Sequence, residues 1–400
     1  MRFSGVKRMV ACLSAVLAAG FLSAVYGQAD LSTIQGVYRG RIGQQNIVLE
    51  IGPVKENHAT NDAEGDEDAK AYPVEGRYFY ARHGVGILLK GEPQTDGSLA
   101  MKEYQSMKAT GGQWKLTFQG ERAQGVFCKC NVLNPEKAGV SRTGISLERA
   151  SGGFDPEFEW SDEGTGADRA YYDLLLEFPL KTGPEIRVGN GTAYAMRTDE
   201  RYSVSLPRLT QFPDAAVMNR VNTDLENELR LRRLRAAGCL FEGQLFSGGQ
   251  WEEKTRVALV SRNLLSIVRD AMWYCGGAYP DGGSEPLMYN LKTGRPLEMG
   301  DVFARAGKAQ TSAKDGQVAE GPVHEALLAL YLRHHRKSEK GCEHAFDDRP
   351  PLIFYFEGKG ISLEPELAHA IRGCGAAIVV PYGELHGVLR EGGLAANERE

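Results

Sequence analysis

The sequence predicts an α+β chain: an N-terminal antiparallel β meander, forming a small barrel or a sandwich, followed by a mixed domain of strands and helices. Three observations carry this expectation. The 400 residues include 48 glycines and 9% aromatic residues; glycine is above its usual ~7%, and the pairing favours short strands joined by tight turns. Residues 33–150 alternate apolar and polar side chains with little helical periodicity. From residue 170 onward strands and helices intersperse without a regular β-α-β period, which favours α+β over α/β.

Residues 1–29 read as an export signal. Arg2, Lys7 and Arg8 precede an apolar run over 9–25, and Gly27-Gln28-Ala29 offers small residues to signal peptidase, with cleavage after Ala29 or after Gly27. An uncleaved anchor is the alternative, since about 17 apolar residues is the short limit for a membrane span; membrane contact is expected only in that case. Removing the leader leaves 44 basic residues against 52 acidic ones, a net −8 compared with −5 for the whole chain. That charge gives no footprint for a phosphate backbone, so no nucleic-acid partner is expected. A periplasmic or secreted location follows from the signal.

The leader takes one of seven cysteines with it, leaving Cys128, Cys130, Cys239, Cys275, Cys342 and Cys374. An even number in an exported chain reads as disulfides. Proximity in sequence favours Cys239 with Cys275 and Cys342 with Cys374. Cys128 and Cys130 would point to one face of a strand, and are left as a bonded, a free or a metal-binding pair.

Within 30–150, runs such as Ile47-Val48-Leu49-Glu50-Ile51, Tyr78-Phe79-Tyr80 and Trp114-Lys115-Leu116-Thr117-Phe118 read as about eight short strands. The polar insertion 56–70, with Asp62, Glu64, Asp66 and Asp68, lacks the ligand order of an EF-hand and reads as a solvated hairpin loop. Residues 151–168 form a linker candidate rich in Gly, Ser, Asp and Glu. In the domain at 169–392, residues 171–178 and 193–206 read as strands. Pro213 and Asp214 open a helix to about residue 235, with Val217, Val221, Leu225 and Leu229 as its buried stripe. Arg230, Arg232, Arg233 and Arg235 cluster at its expected end, where they complement the helix dipole; a patch for an acidic partner is the alternative. Strands at 255–261 and 264–274, the run 287–291, a loop at 307–321, a helix at 322–337 and strands at 352–356, 360–363 and 376–380 complete it. Residues 393–400 are expected to be a disordered tail.

Chemistry is harder to place. The chain has no His-Glu-x-x-His, no Gly-x-Ser-x-Gly elbow, no phosphate-cradling Gly-x-x-x-x-Gly-Lys and no dinucleotide fingerprint. No catalytic residue, metal site or cofactor is expected, and the balance leans away from an enzyme. His334, His335, His344, Cys342 and Glu343 are the densest set of metal-capable residues, but adjacent helical histidines point about 100° apart and read as solvent-facing. Asp281 and Glu285 read as loop charges. Cys275-Gly276-Gly277-Ala278 reads as a tight turn stapled to Cys239.

That turn also carries a resemblance. Tyr274-Cys275-Gly276-Gly277-Ala278-Tyr279-Pro280, then Tyr289-Asn290-Leu291-Lys292-Thr293-Gly294-Arg295, Leu297 and Asp301-Val302-Phe303 resemble the domain-of-unknown-function family shared by the C-terminal extracellular domains of the anti-sigma factor RsiV and the peptidoglycan deacetylase PdaC. Phe354-Tyr355-Phe356, Pro365-Glu366-Leu367-Ala368 and Val379-Val380-Pro381-Tyr382-Gly383-Glu384-Leu385 resemble its closing pattern, so the likeness covers about residues 171–390. Many relatives carry His after Gly-Gly-Ala, where this chain has Tyr279. The resemblance implies an exported α+β module that binds an envelope protein or glycan. RsiV-like modules bind lysozyme; in PdaC-like proteins catalysis belongs to a separate domain whose His-x-x-x-His motif this sequence lacks. The eight residues before the apolar run are too few for the cytoplasmic segment of an RsiV-type sensor. Gly276, Gly277, Ala278, Tyr279 and Asp281 are therefore the candidate binding or structural loop of a non-catalytic binding protein, with an envelope hydrolase or deacetylase built from dispersed residues as the alternative.

Overall fold

The structure, a computed structural model, describes residues 31–54, 72–106, 108–130, 142–154, 169–246, 248–304, 321–335, 342 and 344–394. The leader, the acidic loop at 56–70, most of the 151–168 linker, most of the 307–321 loop, Glu343 and the end of the tail lie outside these residues.

The meander closes into an eight-stranded antiparallel barrel: β1 (Gly36–Ile42), β2 (Gln45–Pro53), β3 (Val74–Tyr80), β4 (Ile87–Pro93), β5 (Leu99–Gln105), β6 (Lys108–Gln119), β7 (Arg122–Lys129) and β8 (Arg142–Ser151). Each strand pairs with its sequence neighbour, and β1 pairs with β8 to complete the circle. Tyr38, Ile47, Leu49, Ile51, Tyr78 and Trp114 point inward and fill the interior. The outer face is not uniform. On β7 and β8 buried and exposed residues alternate, as expected where one face meets water. On β2, residues 47–52 are all buried, because the outward Val48 and Glu50 meet the second half of the chain.

That half begins with α1 (Arg169–Leu176), followed by a small sheet of β9 (Lys181–Thr182), β10 (Ile186–Gly189), β11 (Thr192–Asp199) and β12 (Val204–Gln211). The long helix α2 (Ala215–Phe246) leads to a second sheet of β13 (Gln250–Val260), β14 (Leu264–Tyr274), β15 (Asp281–Asn290) and β16 (Arg295–Pro296). After α3 (Met299–Val302) and α4 (Pro322–His334) comes a third sheet, β17 (Leu352–Glu357), β18 (Gly360–Pro365) and β19 (Ile378–Pro381). β14 is buried on both faces: Leu265 and Ile267 pack in the core shared with α2, Leu264 and Val268 in the core shared with α4 and the third sheet. This is why it reads as a continuous apolar run.

Several expectations are corrected. Residues 171–178 are not a strand: α1 places Tyr171 and Leu175 one turn apart, facing the barrel and α2. Asp214 caps α2, its Oδ1 accepting from the backbone N–H of Ala216 and Val217 at 2.8 and 3.1 Å, but the helix runs eleven residues past 235, to Phe246. The arginine cluster is therefore in mid-helix, away from the dipole's end. Residues 281–286, read as loop, form the first half of β15. Gly282 permits this, since a Cβ there would sit 2.4 Å from the carbonyl oxygen of Ala271 on the paired strand.

The barrel docks on α1 and α2 through apolar and ionic contacts. Phe79 packs edge-on against Tyr171, ring centroids 5.1 Å apart. Buried Arg77 donates to Glu50 at 2.8 Å and lies 4.3 Å over the Tyr171 ring. A second knot centres on Asp199, which is fully buried and accepts from Arg201 and from Arg233, each at 2.7 Å. Arg201 also donates to the barrel carbonyl of Ala81 at 3.2 Å, and the Tyr202 hydroxyl donates to that of Gly84 at 2.7 Å. Burial alone would raise the Asp199 carboxyl, but the two guanidiniums hold it below its ordinary value.

Because that folded value is depressed, the carboxylate contributes stability above the unfolded Asp value of about 3.9, lost as pH falls through the folded one. Asp199→Asn should cost about 3–5 kcal/mol at neutral pH, the usual penalty for breaking a buried pair. It should also flatten the acid limb of the stability profile, read from urea unfolding at a series of pH values. An unchanged limb would exclude this role.

Candidate functional site

A cleft lies between α2, the ends of β14 and β15, and the third sheet. Its central cavity, about 630 Å³, is lined by Glu228, Arg235, Arg269, Trp273, Glu285 and Glu364, among others. A cavity of about 250 Å³ opens beside it near Trp251 and Cys239, sharing Arg235, Trp273 and Glu285. A third, about 750 Å³, lies beyond Asp281 and Arg372, sharing those two residues with Glu366 and Leu367.

The floor follows from strand alternation. The face of β14 that offers Leu265 and Ile267 to α2 next presents Arg269; that of β15 runs from Tyr289 and Leu287 to Glu285. Apolar packing therefore gives way to charge as the strands reach the cleft. Arg269 donates to Glu228 on α2 at 2.7 Å and to Glu285 at 2.9 Å. Arg232, only 1% exposed, donates to Glu285 and holds its Nε 3.7 Å from Glu228 and 3.8 Å from Glu253. Burial pushes the Glu253 carboxyl up, and burial together with the neighbouring Arg269 lowers Arg232. Glu253 Oε2 and the Nε atoms of both arginines are buried without a hydrogen bond. On the opposite wall, burial raises the Glu364 carboxyl. The indole rings of Trp251 and Trp273 stack at 5.9 Å.

The sequence-selected loop forms the rim. Cys239 on α2 is bonded to Cys275, with Cα atoms 4.5 Å apart. Gly276 follows with φ +99°, and a Cβ there would lie 2.5 Å from the Phe246 ring, so both conformation and space demand glycine. Gly277, Ala278 and Tyr279 are exposed, Tyr279 by 74%. The opposing rim is the 3-10 turn His369–Cys374, fastened by the Cys342–Cys374 disulfide. The rims meet: Tyr279 stacks on His369 at 5.7 Å, and Asp281 accepts from Arg372 at 2.6 Å. That hydrogen bond holds the Asp281 carboxyl below its ordinary value.

Other sequence candidates disperse. His334 contacts Glu384 at 2.9 Å, His335 stacks on Tyr331, and His344 contacts Asp347 at 2.8 Å. Among the described residues no group of three His, Cys, Asp or Glu is placed to hold a metal. Cys128 and Cys130 are bonded to each other at the end of β7. Glu285 is not a loop charge but a strand residue on the cleft floor. Glu253, Arg269 and Glu364 escaped sequence reasoning, although Arg269 and Glu285 each extend an apolar period-two face, which was the available signal. Arg232 was singled out only as part of the arginine cluster on α2.

No protein-family model matches the chain, and no curated protein matches it. Several solved structures are similar to it, two of them DUF3298 family proteins. One is a DUF3298 family member from Bacteroides fragilis, 16% identical, covering 53% of this chain and 94% of its own, with a TM-score of 0.32. The other is a DUF3298 family protein from Pseudomonas aeruginosa, also 16% identical, covering 54% and 96%, with a TM-score of 0.31.

Buried and exposed pairs of the site should behave differently on truncation. Arg269→Ala, which removes one of the two guanidiniums that receive Glu228 and Glu285, should cost about 3 kcal/mol, whereas Arg372→Ala at the solvent-exposed rim should cost about 0–1 kcal/mol. Urea denaturation of the two variants checks this; equal losses would contradict the assignment of the floor as a buried ionic network.

Proposed function

We propose that the chain is an exported, non-catalytic binding protein of the cell envelope, and that its ligand, a cell-wall glycan, lies in this cleft. The observation that carries the reading is the lining itself. Planar carboxylates and guanidiniums beside the flat faces of Trp273 and Tyr279 are what a pyranose needs, since each ring offers hydroxyls at its edge and C–H groups on its face. Export is supported by the leader pattern and by three disulfides, which persist in oxidising compartments. Among the described residues no helix is long and apolar enough to cross a membrane. The resemblance of residues 171–390 to the RsiV and PdaC extracellular domains supports an envelope partner, and would admit a lysozyme-like protein in place of a glycan.

A hydrolase or deacetylase is the second reading, favoured by one observation: the Glu364 carboxyl on the cleft wall is raised by burial, as a general acid requires. Soluble glycan-strand fragments separate the two. Binding should quench tryptophan fluorescence without consuming the fragments, and Trp273→Ala should weaken it by about tenfold or more, the scale of a lost stacking face. Turnover that disappears in Glu364→Gln would replace the binding reading with the enzymatic one, and fragments that neither bind nor react would remove both.

A further inference from the structure

We propose that the glycan held in the cleft is a linear strand of amino sugars bearing free, protonated amines. The inference rests on the glycan reading above and deepens it by naming the charge and shape of the ligand.

Shape comes from continuity. The three cavities adjoin: Trp273 and Glu285 line the first two, and Asp281 and Arg372 the first and third. A ligand that fills them is extended. Where the rims meet, at the Tyr279–His369 stack and the Asp281–Arg372 pair, the crossing favours a narrow, unbranched chain.

Charge comes from the walls. The central cavity is lined by five carboxylates, Glu228, Asp281, Glu285, Glu364 and Glu366, against three guanidiniums, Arg235, Arg269 and Arg372. Beneath them Arg232 and Glu253 cancel, so the surplus of acid persists through the floor. The whole chain carries the same sign, −5. Inside a cleft with low-dielectric walls such a surplus is focused. A uronic-acid polymer would be repelled by it, and a fully N-acetylated strand would cover the carboxylates without supplying a countercharge. An ammonium does supply one, donates up to three hydrogen bonds to carboxylate oxygens, and is also attracted to the faces of Trp273 and Tyr279.

The test compares oligomers of glucosamine and of N-acetylglucosamine of equal length, titrated into the full chain by calorimetry at low and high salt. The glucosamine oligomer should bind about tenfold tighter at low salt, with the advantage shrinking as salt screens the walls. Glu366→Gln, on the exposed wall where folding is not at stake, should reduce the ratio between the two oligomers by about threefold. Equal or tighter binding of the N-acetylated oligomer overturns the amine inference and leaves the glycan reading standing. Binding of neither oligomer overturns both, and a basic protein that alone perturbs Trp273 overturns them in favour of a protein partner.

Discussion

Two adjacent arginines on one helix hold this fold in register. Neighbouring residues of an α-helix point about 100° apart, so Arg232 and Arg233 leave α2 in different directions, and both are buried. A buried guanidinium is costly unless carboxylates and carbonyls receive it. Arg233 is received by Asp199 and by the carbonyl oxygen of Phe178, in the knot that also reaches the barrel through Arg201. Arg232 is received by the floor of the cleft. The position of α2 is thus fixed by two ionic requirements rather than by its apolar stripe alone, and docking of the barrel and shaping of the cleft are demands on the same turn of helix.

The rims of the cleft obey a second constraint, which is covalent. Each is an irregular segment that little apolar burial would order, and each is tied at its base by a disulfide: Cys239–Cys275 before the Gly276-Gly277-Ala278-Tyr279 loop, Cys342–Cys374 at the end of the opposing turn. The contacts between the rims, an exposed ion pair and an exposed stack, are weak individually. Disulfides at the bases and weak contacts at the tips give a mouth whose anchoring is firm and whose tips are held together only lightly. That preserves preorganisation at little opposing cost.

The eight-stranded meander was legible in sequence because its signal is local: alternation along each strand reports which face is inside, and glycine-rich turns mark the ends. Its closure into a barrel rather than a sandwich rests on the non-local pairing of β1 with β8. β14 was legible for the opposite reason, both faces being apolar. Misreadings occurred where tertiary context overrode local pattern. The aromatic start of α1 looks like a strand until Arg77 and Phe79 of the barrel cover it. The sequence ends α2 at its arginines because a basic last turn is common, whereas acids on four other elements, α1, β11, β13 and β15, receive them. Of the site, the rim loop was visible through its glycines and cysteines, and two disulfide pairings followed from proximity. The floor was not, because Glu228, Glu253, Arg269 and Glu285 come from a helix and three strands, and no spacing in the chain brings them together.

The composition of that floor bears on what the site can be. Had the network existed only to stabilise the fold, apolar residues of similar volume would serve as well or better, since buried ion pairs seldom repay their desolvation. The same helix uses them elsewhere: Val217, Val221, Leu225 and Leu229 pack against the small sheet and β14. Where α2, β14 and β15 reach the cleft, Glu228, Arg269 and Glu285 replace apolar residues on all three elements together. The Asp199 knot on the same helix serves docking of the barrel, whereas this network borders a cavity. Costly charge retained along a solvent-open cavity is what the proposed binding role would use.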